Sequence, residues 1–159
     1  MFYVDTNGTI QGIISPLGGD ASTPDIWRLG TIGSLKLQVS DSMFIRSCVP
    51  QSSNYIYGNN ASLYLYFASP EGSIKKYGWW SSDSTGIGMW KQLDDMPPVN
   101  LMGAVECQLV LGIETLWIIN SENSLEQWWR SYAAGTDWTR GTFCTLFRNS
   151  IKSSPKPRG

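Results

Sequence analysis

Three segments of the chain repeat one arrangement of apolar and polar positions. They are FYVDTNGTIQG from Phe2, YFASPEGSIKK from Tyr66 and WIINSENSLEQ from Trp117, and they align without gaps. Each begins with apolar residues, passes through a short polar stretch and continues with an aliphatic residue. Apolar runs separated by turn residues favour strands joined in hairpins. The repeat therefore predicts three strand–turn–strand units, and self-similarity of this kind indicates a repeat architecture.

The turn of each unit carries a residue that tolerates a positive φ angle. Gly8, Gly72 and Asn123 occupy the same aligned position. Gly has no Cβ, and Asn enters the left-handed region more readily than most side chains. A tight hairpin needs such a residue. The alignment therefore predicts left-handed backbone at these three positions.

Two further landmarks follow the hairpins in a fixed order. A tryptophan comes first, at Trp27, Trp90 and Trp138. A short apolar strand with a cysteine comes next, in MFIRSCV at 43–49 and in GAVECQLVL at 103–111. A hairpin, a tryptophan strand and a cysteine strand make four strands per unit, which is the content of a β-propeller blade.

The predicted architecture is an all-β propeller of about three four-stranded blades. We predict blades over approximately 1–62, 63–113 and 114–150, which form one propeller domain over 1–150. The Pro-rich, basic tail 151–159 is predicted to be disordered or a linker. A generic β-sandwich, with chance similarity between the hairpins, is the alternative.

Composition agrees with many short strands and removes two classes of partner. The 16 Gly and 8 Pro residues lie mostly between short apolar runs, and aromatic residues make up 13% of the chain. The formal net charge is −1, and only 16% of the residues are charged. Such a chain creates no long-range field for nucleic acid or an anionic membrane. No apolar run reaches the roughly 18 residues of a membrane-spanning helix. We therefore expect no nucleic acid and no membrane among its partners.

The residue types on which most catalysis depends are missing or unpaired. The chain has no histidine, which removes the commonest general base and metal ligand. The acidic pairs Asp94–Asp95 and Glu122–Glu126 are predicted to lie on solvated turns or strand ends, without partners that would push their pKa values apart as a glycosidase requires. We predict a protein that is not an enzyme and holds no metal or cofactor. A propeller glycosidase is the disfavoured alternative.

The cysteines carry no metal-binding or redox signature. Cys48, Cys107 and Cys144 have no C-x-x-C spacing, so zinc and thioredoxin-type sites are excluded. Their odd number leaves at least one thiol without a partner in the chain. We interpret them as buried free thiols, although the sequence leaves disulfide pairing open.

The second and third units resemble the blades of the fungal fucose-specific lectins. That family's blade runs approximately I-R-x-Y-Y-Q-x-x-D-G-x-I-x-E, followed by an aromatic cluster and W-x-x-G. LYLYFASPEGSIKKYGWW at 63–80 and ETLWIINSENSLEQWWR at 114–130 are similar to its hairpin, and DWTRG at 137–141 is similar to W-x-x-G. The resemblance implies half of a six-bladed lectin propeller, fungal and secreted, that binds sugar between neighbouring blades.

The resemblance also indicates which positions would contact a sugar. In that family an Arg on one strand donates hydrogen bonds to the sugar hydroxyls and a Glu on the next accepts them. Tyr64 and Lys76 stand at these positions in the second unit, and Thr115 and Gln127 stand at them in the third. In the first unit the Glu position is Gly12. No unit keeps the charged pair.

The tryptophan that stacks on the sugar is present in every unit. In the family it comes from the W-x-x-G segment of the following blade and covers the apolar face of the ring. Trp27, Trp90 and Trp138 occupy this place. The resemblance implies sites centred on Trp138 with Tyr64 and Lys76, and on Trp90 with Gly12. Packing between blades is the alternative role for these tryptophans.

The sequence therefore predicts non-catalytic, lectin-like carbohydrate recognition with weakened or altered sugar binding. The ligand would be a fucose-like sugar, or an acidic sugar if Lys76 donates where the family has an acceptor. A degenerate propeller that serves as a protein-interaction scaffold is the alternative. Polar, aromatic-floored pockets between blades would favour the lectin, and filled blade junctions would favour the scaffold.

Three blades cannot close a ring, because unpaired strand edges and apolar blade faces would remain in water. We expect a second copy, as a homodimer, or additional blades of a longer chain to complete it. The sequons at Asn7 and Asn60 give weak support for an extracellular protein. The N-terminal MFYVDTNGTIQG lacks the features of a signal peptide.

Overall fold

The computed structural model contains three antiparallel β-sheets in succession along the chain. It describes residues 1–14, 28–40, 44–49, 61–80, 88–99, 101–110, 112–131 and 137–141. In the described part, each sheet is built around one of the three predicted hairpins. The all-β fold class is therefore confirmed.

Each sheet forms one blade, and its strands follow chain order. The first blade comprises β1 (Phe2–Val4), β2 (Ile10–Ile14) and β3 (Arg28–Leu29). The second comprises β4 (Ile45–Cys48), β5 (Leu63–Ala68), β6 (Ile74–Trp80) and β7 (Met89–Gln92). The third comprises β8 (Leu101–Val110), β9 (Ile113–Asn120), β10 (Leu125–Ser131) and β11 (Thr139–Gly141). A 3-10 helix over Thr31–Leu35 follows the first blade.

The three hairpin turns have the geometry that the alignment predicted. Gly8, Gly72 and Asn123 have φ angles of 74°, 80° and 58°. In each turn the amide of that residue donates to the carbonyl three residues earlier, on Asp5, Ser69 or Asn120. In the first and third turns a side-chain oxygen, of Asp5 or Asn120, also accepts from the backbone amides two and four residues later.

The structure assigns the cysteine strands to different blades than the sequence suggested. Strand β4 pairs with β5, and β8 pairs with β9, so each is the first strand of its sheet. The predicted boundaries near 62 and 113 had placed these strands at the end of the preceding blade. The correction follows from the sheet edges: β4 and β8 each hydrogen-bond the strand that comes after them in the chain.

Neighbouring blades pack face to face, and strand alternation decides which residues meet. The first junction, between the first and second blades, is apolar. Ile10 and Ile32 of the first part contact Leu65 and Phe67 of the second blade, and all four are almost completely buried. Phe2 and Trp90 lie at the margin of this cluster.

The second junction, between the second and third blades, joins the other face of β5 and β6 to β9 and β10. Its apolar part contains Tyr66, Ile74, Leu116 and Ile118, which are each at most 1% exposed. Polar and charged residues share this junction, and they form the candidate site described below.

A disulfide also crosses the second junction. Cys48 at the end of β4 pairs with Cys107 on β8, with the two Cα atoms 5.9 Å apart. The interpretation of these two cysteines as free thiols is therefore wrong. The pairing required β4 and β8 to lie side by side, which the linear sequence does not reveal. Cys144 lies outside the described residues.

Candidate functional site

A buried ionic cluster lies at the centre of the second junction. Lys76 on β6 is 0% exposed, and its Nζ lies 2.7 Å from Oε2 of Glu114 on β9. The same carboxylate oxygen lies 2.9 Å from Nε of Arg130 on β10. Glu114 and Arg130 are cross-strand partners within the third blade, so the lysine supplies the contact between blades. One carboxylate thus bridges two cations of different blades.

Aromatic side chains surround this cluster. The Tyr66 hydroxyl donates to Oε1 of Glu114, which engages the second carboxylate oxygen. The Lys76 ammonium lies 4.3 Å from the centre of the Tyr64 ring. The Arg130 guanidinium carbon lies 4.9 Å from the centre of the Trp138 ring. Both contacts place a cation over the negative face of an aromatic ring.

Burial changes the titration of the cluster. Removal of Lys76 from water lowers its pKa to about 8, and the nearby Glu114 carboxylate opposes this shift only in part. Burial also raises the pKa of the Tyr64 hydroxyl, with a smaller contribution from the charge of Glu114. Lys76 is therefore charged at neutral pH and close to its titration range under mildly alkaline conditions.

The structure brings together the three residues that were predicted to form the main site. Tyr64, Lys76 and Trp138 all border the Glu114–Arg130 pair. Tyr64 is only 2% exposed and Lys76 is fully buried, so neither presents its polar group to solvent as the sequence prediction assumed. Their roles in ligand binding stay predictions. Trp138 is half-buried, and its buried Nε1 has no hydrogen-bond acceptor among the described residues.

An exposed carboxylate stands at the margin of the cluster. Oδ2 of Asp94 lies 3.7 Å from Nη1 of Arg130, and the Asp94 side chain is 88% exposed. The adjacent Asp95 accepts from Lys75 at 2.7 Å in a second ion pair. The two acidic residues of this pair therefore have separate cationic partners, whereas the sequence had placed them together on a solvated turn or strand end.

The other predicted tryptophan site lies at the first junction. The rings of Trp90 and Phe2 are in edge-to-face contact, with centroids 5.8 Å apart. Phe2 pairs across strands with Gly12, and a Cβ at Gly12 would lie 3.5 Å from the Phe2 ring. Trp90 thus reaches the neighbouring blade near Gly12, and a sugar site there stays a prediction. Trp27 lies outside the described residues.

The remaining two predicted residues do not join the ionic cluster. Thr115 and Gln127 lie on the opposite face of the third blade, because their side chains alternate with those of Glu114 and Glu126. Thr115 is 8% exposed, and Gln127 is half-buried. A Cβ added at Gly141 would lie 3.2 Å from the Gln127 side chain, which places Gln127 against β11. Their predicted roles also remain untested.

Sequence reasoning missed the two charged residues that organise the site. Glu114 and Arg130 are each flanked by strand residues, and a charge at such a position indicates a paired buried group. The family pattern instead points to Thr115 and Gln127, the neighbouring positions on these strands.

A smaller cluster in the third blade corrects another prediction. Glu126 is 8% exposed, and its carboxylate accepts from Asn120 at 2.6 Å and from the Trp128 indole at 3.0 Å. Arg140 also donates to it. Glu126 is therefore a buried, saturated acceptor instead of a solvated residue. Its partners leave it little capacity to act as a general acid or base.

The described part of the chain has neither a metal-binding cluster nor a membrane-spanning helix. No group of three or more acidic or cysteine side chains there is arranged to hold a metal ion. That part also has no helix with the length and apolarity required to span a bilayer.

Comparison with solved structures shows that this architecture is similar to that of six-bladed β-propellers. A lectin of Aleuria aurantia with a six-bladed β-propeller fold and a novel fucose recognition mode matches at TM-score 0.60 and 13% identity, over 89% of this chain and 40% of its own. Another structure of that lectin, in complex with Fucalpha1-6GlcNAc, matches at TM-score 0.60 and 15% identity, over 89% of this chain and 41% of its own. AofleA from Arthrobotrys oligospora matches at TM-score 0.54 and 14% identity, over 89% of this chain and 38% of its own.

Neither the family models nor the curated proteins include a match to this chain. The chain spans about 40% of the length of the lectin structures that it matches. At this level of identity the similarity shows the fold alone. The resemblance inferred from the hairpins is confirmed at that level: the chain has the fold of part of a six-bladed propeller, like that of the fungal fucose-specific lectins that it matches.

Proposed function

We propose that the chain is a non-catalytic carbohydrate-recognition propeller with altered and weakened sugar binding. The observation that carries the proposal is the meeting of Trp138 with Arg130 at the edge of the second junction. An aromatic ring beside a multidentate donor is the combination that recognises the apolar face and the hydroxyls of a sugar. The matching structures include complexes of a lectin with fucose-containing ligands, which supports this ligand class.

The indole N–H of Trp138 gives the proposed site a specific probe. It is buried without an acceptor in the described structure. An unsatisfied buried donor has a free-energy cost of about 1–3 kcal/mol, which a ligand oxygen can relieve. Arg130 is also a donor, so this edge of the junction favours a ligand rich in acceptors. Sugar hydroxyls and sugar carboxylates both meet that requirement.

Burial of the cluster sets the expected affinity. Lys76 is held by Glu114 and cannot donate to a ligand without breaking a 2.7 Å ion pair. Stacking on one indole contributes about 1–2 kcal/mol, whereas each missing charge-assisted hydrogen bond would have contributed about 1.5–3 kcal/mol. Stacking and the relief of the Trp138 N–H, at about 1–3 kcal/mol, together give about 2–5 kcal/mol, a range that includes the roughly 4 kcal/mol of millimolar dissociation. We therefore expect weak and poorly selective binding.

The test follows the indole N–H signals of the 8 tryptophans during titration. Fucose represents a neutral sugar, glucuronate an acidic one, and glycerol controls for hydroxyl groups without a ring. The signal that disappears in Trp138→Phe identifies the probe, and Trp117→Phe on the opposite face of the third blade is the matched control. We expect the Trp138 signal to shift with either sugar at millimolar concentration and not with glycerol. No shift at about 100 mM of both sugars would contradict the proposal.

A second function is supported by a different observation. Tyr64, Lys76 and Glu114 are each at most 2% exposed, so the second junction is filled. Filled junctions suit a scaffold that retains the propeller for protein contacts. The titration separates the two functions, because a scaffold would show no sugar response while remaining folded.

We also propose that the protein matures in an oxidising, extracellular environment. The support is the Cys48–Cys107 disulfide, since such bonds persist in secreted proteins and are rare in reducing compartments. Thiol labelling of protein isolated without reductant should leave these two cysteines unmodified. Labelling of both would contradict extracellular maturation.

A further inference from the structure

The two outer faces of the three-blade stack carry apolar residues at the positions that internal junctions bury. On the third blade, the face opposite Glu114 presents Trp117, Ile119, Leu125 and Trp129, which are all half-buried. On the first blade, the face opposite Phe2 presents Met1, Tyr3 and Leu29, with exposures of 76%, 38% and 77%. We name these the third-blade end face and the first-blade end face.

Hairpin register shows that the third-blade end face matches an internal packing surface. Leu125 pairs with Ile119 as Ile74 pairs with Ala68, so Trp117 occupies the position of Tyr66. Tyr66, Ala68 and Ile74 are at most 2% exposed in the second junction. The third-blade end face is therefore equivalent to the face of the second blade that packs against the third blade.

The first-blade end face matches the complementary surface. Val4 pairs with Ile10 as Ala68 pairs with Ile74, so Tyr3 occupies the position of Phe67. Phe67 and Leu65 are at most 2% exposed in the first junction. The first-blade end face is thus equivalent to the face of the second blade that packs against the first blade. The two end faces are the two halves of one recurrent blade interface.

We propose that the third-blade end face of one copy packs against the first-blade end face of a second copy, so that two chains close a six-bladed ring. The match to six-bladed folds over about 40% of their length supplies the blade number. A two-fold axis along the ring would form both new junctions at once and leave neither end face in water. Both end faces are mainly apolar, so their burial supplies the driving force. This assembly does not depend on sugar binding.

The test is the mass of the full chain in solution at pH 7, from sedimentation velocity over micromolar concentrations. We expect twice the 17.7 kDa of one chain. Trp129→Lys on the third-blade end face and Leu29→Lys on the first-blade end face should each shift the dimer to monomer by at least tenfold in dissociation constant. Met89→Lys is the matched control, because Met89 is 57% exposed on the outer strand of the middle blade.

Leu29→Lys keeps the test informative if Trp129→Lys fails to fold, since Leu29 is 77% exposed and its side chain has little role within one chain. Far-ultraviolet circular dichroism checks the fold of each variant. A monomeric wild-type chain, a trimer, or a dimer that both end-face variants leave intact would each overturn the proposal.

Discussion

The two blade junctions of this molecule join similar sheets by different chemistry. The first junction is apolar, with Ile10, Leu65 and Phe67 buried against one another. The second contains the ionic cluster of Lys76, Glu114 and Arg130 and is crossed by a disulfide. Both use the same alternating faces of neighbouring blades. The difference therefore lies in the side chains and not in the backbone.

The comparison shows how a position can change its chemistry while the fold persists. Gly12 and Lys76 occupy equivalent places in the first two hairpins. A Cβ at Gly12 would lie 2.9 Å from Ile32, so the first junction has no room for a polar side chain there. At Lys76 the facing blade supplies Glu114, which compensates for burial of the ammonium. In each junction the side chains of the two blades fit one another. A single residue moved from one junction to the other would lack its partner or the space that it needs.

Glu114→Gln should produce the largest loss of stability. It removes a carboxylate that contacts both Lys76 and Arg130 and leaves these two buried cations close together. Breaking a buried pair in this way costs about 4 kcal/mol. Urea unfolding at pH 7 measures the free energy of unfolding. Asp95→Asn is the control, because it breaks the partly exposed Lys75–Asp95 pair and should cost less than about 1 kcal/mol. Equal costs for the two variants would show that the second junction does not depend on its charges.

Loss of the disulfide should have the next largest effect. The double variant Cys48→Ser, Cys107→Ser opens a loop with a sequence separation of 59 and frees the unfolded chain. The chain-entropy model gives a cost of at most about 4 kcal/mol for a loop of this size. Thermal unfolding of the double variant and of the oxidised wild type gives the comparison. A double variant as stable as the wild type would show that the second junction is held by packing and charge alone.

Ile10→Ala tests the apolar junction and should cost about 3 kcal/mol. Ile10 is completely buried among aliphatic and aromatic side chains, so the loss comes from apolar transfer and a cavity. Ile10→Val is the graded control, with an expected cost of about 1 kcal/mol. Neither cost should change with pH, whereas the cost of Glu114→Gln should change with pH because it alters the surroundings of the titrating Lys76. A strong pH dependence for Ile10→Ala would contradict the distinction between the junctions.

The backbone pattern of this protein was easier to predict than its side-chain partnerships. The turn geometry at Gly72 and Asn123 follows from local sequence, because a positive φ is a property of the residue and its immediate neighbours. Strand assignment to blades failed for β4, since an edge strand can in principle pair with either neighbouring sheet and the choice depends on tertiary packing. Local signals therefore gave the hairpins but not all of the blade boundaries.

The candidate site shows the same limit more sharply. The family pattern brought Tyr64, Lys76 and Trp138 together as one sugar site, and in the structure all three lie around the Glu114–Arg130 pair while their role in binding stays a prediction. The Glu114 carboxylate was missed because its partner Lys76 belongs to another blade. Which faces of two blades meet is a three-dimensional fact that periodicity within one blade cannot supply. The cysteine pair was misinterpreted for the same reason.

The smallest predicted effect is a pH dependence that originates at Lys76. Burial lowers the pKa of Lys76 from 10.5 to about 8 in the folded protein. Between these two values the unfolded chain binds more protons at this residue than the folded protein does. The free energy of unfolding should therefore increase as pH rises above about 8, and decrease again as pH falls toward that value. The groups that face this ammonium are Glu114, Arg130, Asp94 and the rings of Tyr64 and Tyr66.

Lys76→Met isolates this contribution, because it keeps a long apolar stem and leaves Glu114 paired with Arg130. Urea unfolding of both proteins from pH 7 to pH 9.5 gives the difference in stability. The wild type should gain about 2 kcal/mol relative to the variant over this range, because the unfolded chain holds an extra proton over about 1.5 pH units and each such unit corresponds to about 1.4 kcal/mol. The upper limit avoids Tyr64, whose raised pKa would begin to reduce stability at higher pH. A difference that is flat with pH, or that declines, would mean that Lys76 keeps its proton throughout. In that case Glu114 would compensate fully for burial, and the second junction would be as insensitive to pH as the first.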